Sequence, residues 1–220
     1  MKTPIRFWYL AAAVAAMGIA LSPRLRFLAD GYLFSAYMLQ HLILQLAAPP
    51  LLLLALPPSG DGAPKLSLRA AAAFWAGGVG AMWIWHDPAL CNAVLGSPAL
   101  RLFQQASLVL AGLAFWWPVA GPRREWRLPP LLGIVYLFTA CLGCTILGIV
   151  ITFAPAELYS RYFHAAAAPL LFKEWALTPA ADQRLGGLLM WAPACLVYVI
   201  GILGLLNRLY ATPEFEPKTT

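Results

Sequence analysis

Charge is what this chain has least of: 11% of its 220 residues are Asp, Glu, Lys or Arg, where an average soluble domain carries about 25%. With 61% hydrophobic residues, a soluble globule would need a surface built largely from Leu, Ala, Val and Trp, which excludes one. Disorder is excluded for the opposite reason, since disordered chains combine low hydrophobicity with high net charge. Cysteine is sparse too: Cys91, Cys141, Cys144 and Cys195 all lie in or beside apolar stretches, so no disulfide framework is expected. Also missing are a nucleophile with a base, paired intramembrane carboxylates and a phosphate-binding glycine loop; no enzyme is expected. Nor is there the repeat symmetry with paired broken helices that would signal a transporter. The net charge of +6 invites a nucleic-acid partner, but nucleic-acid binders gather their positive charge in a patch or stripe. Here the basic residues stand in ones and twos between apolar runs, as juxtamembrane anchors do, and the expected partner is membrane lipid.

What is present is a series of long apolar runs. About 20 residues cross a hydrocarbon core of about 30 Å, and six stretches qualify: Ile5–Leu21, Tyr32–Leu56, Leu68–Trp85, Leu100–Val119, Leu128–Phe153 and Leu185–Leu209. Backbone polar groups in lipid must be satisfied internally, so runs of this length are helices. Barrel strands would be about 10 residues long with alternating polarity, and that alternation is absent. The expected fold is all-α: one polytopic transmembrane bundle over residues 1–220. The first span reads as a retained signal anchor, because Pro23 directly follows the small residues Ala20 and Ser22 that a cleavage site would use. Pro49 and Pro50 should kink the second span or end it early. The stretch Phe163–Ala176 is apolar but too short to cross, and is expected at the interface.

Lys and Arg distribute nine to six between the two sides of this bundle, and Arg123, Arg124 and Arg127 in one short loop carry most of the bias. The positive-inside rule then places both termini in the cytoplasm. The polar residues that need explaining, Asp30, Tyr37, His41, His86, Asp87, Gln104, Gln105, Asp182 and Met190, all fall on the other side. A site is expected on the extracytoplasmic face.

Tyr37 and His41 are spaced i, i+4 and share a helix face. An ionisable residue inside a span points to function, although a His bonded to a backbone carbonyl for packing fits as well. His86 beside Asp87 is a metal ligand, a proton-handling group or an ordinary helix-end pair. With Met190 as a soft thioether, His41 and His86 would suit copper(I) more than magnesium or calcium. Cys141 and Cys144 form a CxxC near the middle of the fifth span, which elsewhere would suggest a redox pair or copper thiolates, but which reads first as small residues allowing close helix contact beside Gly143 and Gly148. Phe115-Trp116-Trp117-Pro118 is an aromatic belt with a turn. Asp182 reads as the N-cap of the last span, and Gly186-Gly187 as a surface for close helix approach.

In this order the motifs resemble the polytopic CtaG family of cytochrome c oxidase assembly proteins, over roughly Tyr32 to Leu209. They are Gln40-His41-Leu42-Ile43-Leu44 leading to Ala48-Pro49-Pro50-Leu51-Leu52, Trp85-His86-Asp87-Pro88, Phe115-Trp116-Trp117-Pro118-Val119, Leu147 to Ala154 with Tyr159, and Asp182-Gln183 through Gly186-Gly187 to Met190-Trp191. The resemblance implies an assembly factor for a haem-copper oxidase in a bacterial inner membrane. It would aid copper delivery on the outer side, and its partner would be an oxidase subunit or another assembly factor. It also implies seven spans, His at Tyr37 and a Glu-His pair at Gln104-Gln105, so this chain departs from the pattern at both positions. Two functions follow as expectations: transient copper binding through His41, His86 and Met190, or a metal-free scaffold for an oxidase subunit or assembly factor.

Overall fold

Among the described residues helix accounts for 84%, with no strand. The computed structural model describes residues 3–59, 65–155, 158–163 and 177–211. The apolar stretch expected at the interface, Phe163–Ala176, lies almost wholly outside them. In order, the chain forms α1 (Thr3–Ala20), α2 (Pro23–Ala29), α3 (Phe34–His41), a π-helical segment (Leu42–Ala47), α4 (Ala48–Ala55), α5 (Leu68–Trp85) and α6 (Pro88–Leu95). It continues with α7 (Pro98–Ala120), α8 (Pro130–Phe153), the short α9 (Ser160–Phe163) and α10 (Pro179–Tyr210).

Among the described residues, four helices are long and apolar enough to cross a membrane: Phe34–Ala55, Pro98–Ala120, Pro130–Phe153 and Pro179–Tyr210. α1 and α2, bent by 47° at their junction, make a fifth if they act as one span. Of the six expected spans, α5 is a continuous helix of 18 residues but is not among the helices apolar enough to cross; Arg69, three glycines and three tryptophans interrupt its aliphatic residues. Large side chains such as Leu110, Phe138, Phe153 and Ile200 stay exposed, as they would on a bundle solvated by lipid.

Pro49 and Pro50 do not end the second span, which runs on to Ala55. The helix widens before them, with the Ala48 N–H donating to Ile43 O in an i to i−5 bond. The wider turn makes room for rings that would clash with carbonyls one turn back, and Pro49 and Pro50 then open α4 at positions where a missing N–H costs least.

Glycines set the closest helix contact. A Cβ on Gly187 would lie 2.7 Å from Thr152 N, and one on Gly148 would lie 2.9 Å from Gly187 O. α8 and α10 therefore touch backbone to backbone, as small residues allow. Gly186 receives the Phe34 ring on the neighbouring face, so the Gly186-Gly187 pair separates α3 on one side from α8 on the other.

Bonds between helix ends align the bundle. Asp182 near the start of α10 reaches the start of α3, and Gln183 donates to Ile151 O and Ala154 O at the end of α8. Tyr159 donates to His86 O, just beyond the end of α5. The polar residues of interest thus gather at one end. At the opposite end Arg208 donates to Val119 O and Leu128 N to Pro118 O.

Candidate functional site

The site begins with how α3 starts. Leu33 at its N-cap has no side chain able to accept a hydrogen bond. Asp182 serves instead: one carboxylate oxygen accepts from Phe34 N and the other from both Ser35 N and Ser35 Oγ. Asp182 therefore does not cap its own helix as the sequence leads one to expect; Thr178 does that. A buried carboxylate at a helix N-terminus complements the backbone dipoles there and fixes the direction in which α3 enters the bundle.

One turn on, Tyr37 is fully buried, its hydroxyl accepting from Gln104 Nε2 and its ring lying 5.2 Å from the Arg101 guanidinium. His41 packs edge-on against that ring at 4.2 Å. The two histidines come together from separate helices, with ring centroids 5.3 Å apart and only 2% and 3% of their surfaces exposed.

Each ring is held in the same way. His41 Nδ1 lies 2.8 Å from Tyr37 O, and His86 Nδ1 bonds Met82 O. A carbonyl oxygen can only accept, so in each neutral ring Nδ1 carries the proton and Nε2 keeps its lone pair. Both Nε2 atoms are buried without a hydrogen-bond partner. Burial pushes His86, which follows the last residue of α5, down to about 4, so its imidazole is neutral at physiological pH. Two unpartnered lone pairs with tautomers set by backbone carbonyls are the state in which histidine ligates a metal.

His41 also lines a small cavity of about 20 Å³, room for one water-sized occupant. Met190 lines it too, whereas His86 is not in its lining and meets this region through its contact with His41. Sequence reasoning missed Met82 and read Cys144 first as packing, yet both line the same cavity. Met82 lies one turn before His86 and so shares its face, a signal that was available. Cys144 donates to Met190 O at 3.0 Å, and the CxxC is thus not remote from the site: one cysteine lines the cavity and the other, Cys141, donates to Cys195 Sγ at 2.9 Å. All four cysteines are free thiols. Among the described residues no three His, Cys, Asp or Glu side chains are grouped to hold a metal ion. Beyond the histidine pair, further ligands would have to include thioether sulfur.

The other expected site residues bond within the bundle. Asp30 pairs with Arg101 at 2.8 Å, and Arg101 also donates to Gln40 Oε1 at 3.0 Å. Gln105 Nε2 donates more weakly to the same oxygen at 3.4 Å, while Gln40 Nε2 ties this network to Ala20 O of α1. Asp87 caps α6, accepting from Ala89 N and Leu90 N.

A sequence profile describing the cytochrome c oxidase caa3 assembly factor family (Caa3_CtaG) matches residues 3–212. The chain belongs to this family. No curated protein and no solved structure gives a significant match. The match begins before the motifs at Tyr32, and takes in α1 and α2 as well.

Proposed function

We propose that this member of the caa3 assembly factor family aids copper delivery to a haem-copper oxidase. Copper(I) is held transiently as cargo by His41 and His86, with Met190 as a thioether donor. The observation that carries this reading is the pair of buried imidazoles, 5.3 Å between centroids, whose Nε2 atoms have no hydrogen-bond partner. Imidazole and thioether ligands suit a soft monovalent ion, and carboxylate and carbonyl sets suit magnesium or calcium. The positive-inside count favours cytoplasmic termini, which would open the site to the extracytoplasmic side of a bacterial inner membrane. The recipient would be an oxidase subunit or another assembly factor.

The test is copper retention by the purified full chain. Near-stoichiometric copper(I) in the wild type and none in a His41→Ala/His86→Ala variant is the expected result. Equal copper in the two preparations refutes the metal role. A second reading, a metal-free scaffold, is favoured by Tyr37 and Gln104, which bond each other where the resemblance implies His and Glu. It predicts that oxidase maturation survives the double substitution.

A further inference from the structure

The end of the bundle away from the histidines carries a second feature, unconnected with copper. A cavity of about 480 Å³ is lined by Lys65, Arg124, Arg127 and Arg208, with Glu125 the sole carboxylate among the described lining residues. Two of its arginines are fixed by the backbone: Arg127 Nε donates to Gly121 O at 2.7 Å and Arg208 Nη1 to Val119 O at 3.2 Å. Burial, and after it the charges of Arg208 and Arg124, holds the Arg127 guanidinium below its usual value. Basic groups gathered in one recess favour an anion.

The cavity continues into an apolar groove of about 230 Å³ between α5 and α8, floored by Ala71, Trp75 and Tyr136. Leu68, Leu128 and Leu132 line both spaces. A basic recess at the helix ends that opens into an apolar trough along the spans has the polarity of an anionic amphiphile. Basic pockets between transmembrane helices hold acidic lipid head groups in this way.

We propose that this recess and groove form a binding site for one anionic phospholipid, its phosphate among Lys65, Arg124, Arg127 and Arg208 and an acyl chain between α5 and α8 along Trp75. A free phosphate would use only the first half of the site. The groove therefore argues for lipid.

The experiment places the full chain in bilayers containing brominated-chain phosphatidylglycerol or brominated-chain phosphatidylcholine. The Trp75 signal is the difference between wild type and Trp75→Phe. Phosphatidylglycerol should quench it at least twofold more strongly than phosphatidylcholine, and millimolar inorganic phosphate should leave the quenching unchanged. Lys65→Gln/Arg124→Gln, which spares the two backbone-anchored arginines, should abolish the preference. Native mass spectrometry of the wild type needs no variant and should retain about one phosphatidylglycerol per chain in preference to phosphatidylcholine. Equal quenching by both lipids, a preference that survives the double substitution, or displacement by inorganic phosphate alone overturns the proposal.

Discussion

Replacing Asp182 by Ala tests whether one carboxylate on α10 holds α3, and with it His41, in place. Three donors lose their acceptor: Phe34 N, Ser35 N and Ser35 Oγ. Hydrogen bonds to a charged group contribute about 1.5–3 kcal/mol each, and a buried donor left unsatisfied costs about 1–3 kcal/mol. The net loss is smaller than the sum, because burying the carboxylate itself costs several kcal/mol, and a destabilisation of about 3 kcal/mol is expected. Asp182→Asn keeps an oxygen acceptor and should lose about 1 kcal/mol, while Ser35→Ala removes one bond and should behave similarly. Stability is read from tryptophan fluorescence during denaturation of the full chain in detergent. Hydrogen exchange at Phe34 and Ser35 gives the local readout, and protection there should fall about a hundredfold in Asp182→Ala if the opening is local. Because Ser35 and Asp182 share a bond, the two losses should be coupled by at least about 0.5 kcal/mol. An Asp182→Ala protein as stable as the wild type, or strict additivity with Ser35→Ala, refutes the tether.

Gly187→Ala should destabilise the α8–α10 contact by at least about 1–3 kcal/mol, since its Cβ would meet Thr152 N at 2.7 Å. Gly204→Ala on the same helix, with nothing within 4 Å, should be neutral or stabilising by up to about 1 kcal/mol; the same melts check both. His86 titrates at about 4 when folded, below its usual 6.5, so its contribution is complete above about pH 6.5 and is lost as pH falls toward 4. The denaturation midpoint should decline over that window in the wild type and less steeply in His86→Gln. Tyr37→Phe removes the acceptor of Gln104 Nε2 and should cost about 1–2 kcal/mol, yet leave copper retention unchanged, which metal analysis of the purified variant checks.

The sequence made the helical class and the gathering of polar residues at one end legible, because both follow from where charge is absent. The π-helical turn was not legible. Pro49 removes the donor that Gln45 O would meet in an α-helix, but whether a chain kinks, stops or widens depends on what packs there. Here Gly112 sits so close to Gln45 O that a Cβ there would clash with it, so the widened turn packs directly against α7, far along the chain. Asp182 was misassigned for a similar reason: its position near a helix start is what an N-cap needs, and only the crossing of α3 and α10 shows which helix it caps. Cys144 and Met82 do not stand out in the sequence, because a thiol and a thioether inside a span look like packing until a cavity is found beside them. Residue type alone singles out the two histidines, but their proximity and shared Nδ1-to-carbonyl anchoring depend on rotamer and helix geometry.

That anchoring, together with the cavity lining, determines which ions the site can take. The lining holds His41, Met82, Cys144 and Met190 and no carboxylate among the described residues. The described carboxylates at this end are engaged elsewhere, Asp30 with Arg101, Asp87 at the start of α6 and Asp182 at the start of α3, and none lines the cavity. Transferring an ion out of water costs free energy that rises with the square of its charge, so a divalent ion faces roughly four times the penalty of a monovalent one of similar size. Zinc would also ask for four tetrahedral ligands, most often thiolate, imidazole or carboxylate, and thioethers are poor substitutes. A monovalent soft ion meets neither obstacle. The full chain should therefore retain copper(I), and silver(I) as its redox-inert analogue, under dialysis that strips zinc(II) completely. Retention of zinc in equal amount, still dependent on His41 and His86, would show that the pair works with a carboxylate or thiolate donor and refute the neutral-ligand argument.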